Sequence, residues 1–204
     1  MEPIAPLCLS VWNGRLDMRI EVDIPEGILG DYEVAHYTSE TTDNMWQTYL
    51  EMKKETHDSH TVLLKAGCPM PIMQDSEAEY NEHQWLWDNA TGDVLIGGLG
   101  IGMCHQPLID NPNVTSVTVV EISQDVIDLV WAHCAKDGRF SLVLEDFENW
   151  EVPDGMEWDV IWADTWLIDN PIDNYDYKTL IRNKYHTHCK EQKTVQIGFW
   201  GDKT

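Results

Sequence analysis

Thr91-Gly92-Asp93-Val94-Leu95-Ile96-Gly97-Gly98-Leu99-Gly100-Ile101-Gly102-Met103 leads, after a short helical segment, into Val117-Thr118-Val119-Val120-Glu121. Two apolar runs bracket a cluster of glycines, and the second run ends in one acid. A parallel strand buried on both faces reads as a continuous apolar run. Glycines in the turn after it let backbone approach a ligand with no side chain in the way. The helix that follows offers unpaired N–H groups and partial positive charge. An acid at the tip of the next strand, Glu121, can accept from both hydroxyls of a ribose. The stretch therefore predicts strand, glycine turn, crossover and parallel strand. Its spacing favours a nucleoside ligand without a pyrophosphate. A dinucleotide fingerprint would be Gly-x-Gly-x-x-Gly, and Met103 stands where its last glycine would be.

The pattern continues downstream. Ser123 caps a helix running to about Ala135, with Val126, Ile127, Val130 and Cys134 on its buried stripe, and Asp137-Gly138 ends it. Residues 141–144 read as a third strand, followed by Glu145-Asp146. Residues 158–163 read as a fourth strand, central because it is mostly apolar, and it ends at Asp164. Gly98, Glu121 and Asp164 should then share one edge of the sheet. Ligands in open α/β sheets sit at that edge, where strand order reverses, so Asp164 is the candidate for chemistry. A helix over 177–190 carries Lys178, Arg182, Lys184 and Lys190. His186 and His188 are two apart and do not share a helix face, and no metal is expected. The last strand, 194–200, alternates apolar and polar residues and is expected to be a half-solvated edge. Such edges are usually covered, here by the N-terminal segment or by a second copy in a homo-oligomer.

Residues 94–98 and 117–121, with Val160-Ile161-Trp162-Ala163-Asp164-Thr165, resemble the class I S-adenosylmethionine (SAM) methyltransferase fold. Within it, they resemble the spermidine synthase-like, or aminopropyltransferase, branch, over about residues 70–200. The resemblance implies that Gly98, Gly100 and Gly102 hold the amino-acid end of SAM or of decarboxylated SAM. It implies that Glu121, beside Ile122, binds the ribose, and that Asp146, beside Phe147, lies near the adenine. Asp164 would stand at the reacting end. The family's sheet has two further strands, so the expected fold is a Rossmann-like, doubly wound, mainly parallel α/β sheet truncated after the fifth strand. The segment Glu77-Ala78-Glu79-Tyr80-Asn81-Glu82 resembles the family's Asp-Glu-x-x-Tyr-His-Glu at Glu77, Tyr80 and Glu82, and departs from it at Ser76 and Asn81. It reads equally as a capped, acidic, solvated helix face. Trp162 and Trp166 flank Asp164, where an aromatic face near a sulfonium or ammonium would gain cation–π energy.

Residues 1–73 read as a β-rich appendage to a SAM-binding domain over 74–204. Strands are expected at 7–12, 16–22 and 31–37, with Asn13-Gly14 a hairpin signal. A helix from Thr41 or Thr42 to about His57 keeps Met45, Tyr49 and Met52 at helical spacing. Short strands follow at 60–66 and 71–73. A helix over 74–90 carries a capping box at Ser76 and Glu79.

The chain of 204 residues has a formal net charge of −23. That charge disfavours nucleic acid, whose phosphates need lysines and arginines, and anionic membrane surfaces. It suits a small cationic partner, as does the stretch 146–176, which is rich in acids and has no Lys or Arg. No apolar run approaches the ~18–20 residues of a membrane span. Five scattered cysteines without a C-x-x-C pair suggest reduced thiols and a cytoplasmic setting. The function expected is a SAM-dependent transferase moving a methyl group to a small acceptor, an amine among the candidates. Aminopropyl transfer to a polyamine and a catalytically silent SAM-binding module are the alternatives.

Overall fold

The computed structural model describes residues 11–12, 15–16, 19–38, 44–55, 57–165, 171–190 and 196–202. Two-residue strands β1 (Val11–Trp12) and β2 (Arg15–Leu16) pair antiparallel. A four-stranded antiparallel sheet follows, made of β3 (Gly27–Leu29), β4 (Tyr32–Thr38), β5 (Ser59–Lys65) and β6 (Met73–Gln74) in that spatial order. Helix α1 (Asn44–Lys53) connects β4 to β5, and its expected cap at Thr41 or Thr42 lies outside the described residues.

Of the strand expected over 16–22, Leu16 belongs to β2, residues 17–18 lie outside the described residues, and residues 19–22 are not in a strand. The Arg19 side chain and the Val22 N–H turn instead to buried Asp75. Arg19 donates to its backbone oxygen (2.6 Å) and to Oδ1 (2.9 Å), and the Val22 N–H donates to Oδ2 (3.3 Å). Backbone committed to a side chain is not available to a ladder.

Ser76 caps α2 (Glu77–Glu82), and its Oγ accepts from the Glu79 N–H at 3.1 Å. The helix expected to reach residue 90 breaks at His83 and resumes as α3 (Gln84–Asn89). Then comes the parallel sheet: β7 (Gly92–Gly97), β8 (Val114–Glu121), β9 (Phe140–Leu144), β10 (Val160–Ala163) and β11 (Ile197–Phe199). Between these strands run α4 (His105–Asp110), α5 (Gln124–Val126) with a π-helical turn at Ile127–Trp131, and α6 (Pro171–Tyr185). The spatial order is β11-β10-β7-β8-β9 and every pair is parallel. Counted from β7, this is the 3-2-1-4-5 order of a Rossmann-like doubly wound sheet, with its switch point between β7 and β10.

β11 is not half-solvated as expected, since Ile197, Gly198 and Phe199 are all buried. A Cβ on Gly198 would stand 1.9 Å from the Trp85 ring, so the missing side chain lets α3 lie against the strand. On Phe199, Arg182 of α6 sits 4.7 Å from the ring centroid. The basic residues near α6 pair internally. Lys178 meets Asp202 at 2.7 Å, and Lys184 donates to the Glu148 carbonyl at 2.8 Å. Lys190 bridges Asp93 (2.6 Å) and Asp159 (2.7 Å).

One buried cluster joins Ile24, Val34, Leu63 and Met73 to Val94, Ile96, Val117, Val119 and Trp162. This cluster contains residues from both sides of residue 73. Among the described residues, no helix is long and apolar enough to cross a membrane.

His105 opens α4 and is 2% exposed, with Trp131 and Phe140 against its ring. Its Nδ1 is 2.9 Å from the Ala135 carbonyl. A carbonyl only accepts, so Nδ1 carries the proton. Burial pushes the His105 pKa down from 6.5 to about 4. Between these values the unfolded chain takes up a proton that the native protein refuses. The His105 contribution is therefore complete above pH 6.5 and lost as pH falls toward 4, by up to about 3 kcal/mol. Urea unfolding at pH 7 and pH 5 should show a steeper acid loss in wild type than in His105→Gln. Equal losses would contradict this.

Candidate functional site

A cavity of about 300 Å³ opens at the carboxyl ends of β7, β8, β9 and β10. Its lining brings together Gly98, Gly100, Glu121, Ile122, Asp146, Phe147 and Asp164, all expected site residues. The antiparallel sheet closes the other side with Tyr32, Leu63, Lys65, Ile72 and Met73, none of which the sequence singled out.

Gly98, Gly100 and Gly102 have φ of +94°, +53° and +69°, a region costly for other residues. A Cβ on Gly98 would lie 2.4 Å from the Asp164 carbonyl oxygen, and one on Gly100 would lie 2.0 Å from Met73 Sδ. On Gly102 it would lie 2.2 Å from Cys134 Sγ. Gly102 does not line the cavity and serves the seating of the turn on Cys134. The glycines thus serve the turn's own packing as well as any approach of a ligand.

Glu121 is buried, with Oε2 accepting from the Leu99 N–H (2.9 Å) and Oε1 from the Ser123 N–H (2.8 Å). Burial raises its pKa, against the pull of these backbone donors. Each carboxylate oxygen has two lone pairs, so acceptor capacity remains for a ligand. Asp146 folds its own loop: Oδ1 accepts from the Glu148 N–H (3.0 Å) and Oδ2 from Asn149 Nδ2 (2.6 Å). The Phe147 ring stacks on Tyr185, with centroids 4.5 Å apart, and packs where Gly97 has no side chain.

Asp164 follows β10, with its Oδ2 3.4 Å from His83 Nε2. His83 is fully buried between Trp87 (5.5 Å) and Trp162 (5.3 Å). Its Nδ1 is 2.8 Å from the Glu79 carbonyl. Burial pushes the Glu79 carboxyl pKa up to about 7, and Glu79 Oε1 accepts from Trp200 Nε1 at 2.6 Å. Glu79, His83 and Asp164 each bring a donor atom within 4.8 Å of the other two, a metal-capable grouping that the sequence reading did not anticipate.

The remaining expected residues stand elsewhere. Trp162 is fully buried and stacks on Trp85 at 6.1 Å, away from the cavity lining. Trp166 lies outside the described residues. Tyr80 stacks on Trp87 at 5.5 Å. The Glu77 N–H donates to Glu55 Oε2 (2.8 Å), and Glu82 Oε1 is 4.0 Å from Lys53 Nζ. None of Glu77, Tyr80 and Glu82 lines the cavity, because the inward positions of this segment are Ser76, Glu79 and His83. Glu79 and His83 stand at i and i+4, a spacing that places two side chains together on one helix face, and this was the available signal.

No family model and no curated protein matches the chain. Among solved structures it is similar to the N-methyltransferase NodS from Bradyrhizobium japonicum WM9, at 12% identity and TM-score 0.41, over 55% of this chain and 61% of that one. NodS is also solved in complex with S-adenosyl-l-homocysteine. The CcbJ methyltransferase from Streptomyces caelestis matches at 24% identity and TM-score 0.34, over 42% of this chain and 36% of that one. A dimethyladenosine transferase from Plasmodium falciparum matches at 18% identity and TM-score 0.38, over 53% of this chain and 36% of that one. The chain thus spans about three fifths of NodS and about a third of the other two. At TM-scores below 0.5 this likeness carries no weight for function, and the functional reading rests on the cavity.

Proposed function

We propose that the cavity binds SAM and that the chain is a SAM-dependent transferase, moving a methyl group to a small acceptor, an amine among the candidates. The observation that supports this is the convergence of Gly98, Gly100, Glu121, Ile122, Asp146, Phe147 and Asp164 on one cavity at the switch point of a 3-2-1-4-5 sheet. Its volume of about 300 Å³ is at the lower end of small-molecule sites, roughly 300–1,000 Å³. The residues suit the ligand: Glu121 keeps acceptor lone pairs for ribose hydroxyls, and Lys65 offers a cation to a carboxylate.

When bound, SAM supplies a methyl carbon activated by its sulfonium charge. Glu121 fixes the ribose from the end of β8. Asp164 stands at the reacting end and orients the acceptor. Met73 lies against Gly100 of the glycine turn, and Tyr32 lines the same cavity. Asp146, Glu148 and Asp164 give the cavity an acidic wall that attracts a cationic amine.

The spermidine synthase-like alternative would have Glu77 and Glu82 repel the carboxylate and select decarboxylated SAM. Neither lines the cavity, whereas Lys65 does, which supports ordinary SAM. Calorimetry should find SAM bound at least as tightly as its decarboxylated form. Glu77→Gln should change their ratio by less than about tenfold, or ~1.4 kcal/mol. A strong preference for decarboxylated SAM, erased by Glu77→Gln, would support aminopropyl transfer instead. Binding of SAM with no S-adenosylhomocysteine released over a panel of amines would mark a silent binding module.

A further inference from the structure

We propose that Glu79, His83 and Asp164 form a site for one divalent transition-metal cation in the wall of the cavity. One donor atom from each lies within 4.8 Å of the others, and His83 Nε2 stands 3.4 Å from Asp164 Oδ2. Two ligands each about 2.1 Å from a tetrahedral ion are roughly 3.4 Å apart.

The state of His83 follows from its neighbours. Its Nδ1 faces the Glu79 carbonyl at 2.8 Å, and a carbonyl only accepts, so Nδ1 is the donor. In the neutral ring this leaves the lone pair on Nε2. That atom is buried and has no hydrogen-bond partner. Histidines that hold metals characteristically donate their other N–H to a backbone carbonyl or carboxylate in this way. Stacking against Trp87 at an interplanar angle of 17° holds the ring direction, and Trp200 Nε1 orients Glu79 Oε1 from 2.6 Å.

The carboxylates of the cluster are sheltered from water. Glu79 is buried and the Asp164 side chain is only 19% exposed. Among the described residues, His83 is the one ion-pair partner of either carboxylate. One nitrogen and two carboxylate oxygens suit Zn²⁺, Mn²⁺ or Co²⁺, whereas Mg²⁺ and Ca²⁺ favour oxygen alone. Because Asp164 lines the cavity, the ion's open positions would face whatever the cavity admits. Use of the ion on an acceptor rests on the transferase reading, but its binding does not.

The test is titration of the full chain, stripped with chelator and free of SAM, with Co²⁺, read by its visible absorption bands. One equivalent is expected, displaced by Zn²⁺. His83→Gln and Asp164→Asn should each weaken it at least about tenfold. Circular dichroism checks that each variant is folded, and the partly exposed Asp164 carries the test if His83→Gln is not. Substoichiometric binding, or affinity unchanged in a folded variant, would overturn the proposal. SAM calorimetry on the stripped protein keeps its failure distinct from failure of the transferase reading.

Discussion

Gly98→Ala is expected to cost about 2–5 kcal/mol of folding stability. The residue has a φ of +94°, and holding an L side chain in a left-handed conformation costs roughly 1–2 kcal/mol. Its Cβ would meet the Asp164 carbonyl oxygen at 2.4 Å. That atom is backbone just beyond the neighbouring strand β10 and cannot swing aside, so overpacking adds about 1–3 kcal/mol. Against a total of roughly 5–15 kcal/mol, this is a large share. Gly138→Ala is the control, because a Cβ there meets nothing within 4 Å, and it should stay within about 0.5 kcal/mol of wild type. Equal urea midpoints for the two variants would contradict the account of the turn.

Asp75→Ala is expected to cost about 3–5 kcal/mol, the scale for breaking a buried pair by removing one partner. Asp75 is fully buried. Its carboxylate accepts from Arg19 Nη2 (2.9 Å), the Thr61 N–H (3.0 Å) and the Val22 N–H (3.3 Å). It pins the 19–22 segment to β5, which carries Lys65 to the cavity. A loss below about 1 kcal/mol in denaturant unfolding would show that this joint matters little.

Much of the parallel sheet is legible because its central strands β7 and β10 are largely buried and its strands read as apolar runs. β7, β9 and β10 fall within a residue or two of where those runs place them, and β8 starts three residues early, at Val114. Both serine caps are legible for a local reason, and Ser76 and Ser123 accept from Glu79 (3.1 Å) and Val126 (3.3 Å) as their spacing implies. What escapes is whatever depends on docking. The alternation in β11 looks half-solvated until Trp85 is seen to lie on Gly198. The Glu77, Tyr80 and Glu82 face of α2 turns away because the short helix docks through Ser76, Glu79 and His83. Lys65 reaches the cavity only through β5, from a sheet that local pattern cannot place over the glycine turn.

The account turns on Glu121 serving a nucleoside in the cavity, and titration calorimetry with SAM addresses this directly. Wild type should bind one SAM per chain. Glu121→Ala, once shown to be folded, should bind it more weakly by roughly 1.5–3 kcal/mol, the scale of hydrogen bonds to a charged group. No SAM binding to wild type, with NAD bound in its place, would contradict the account.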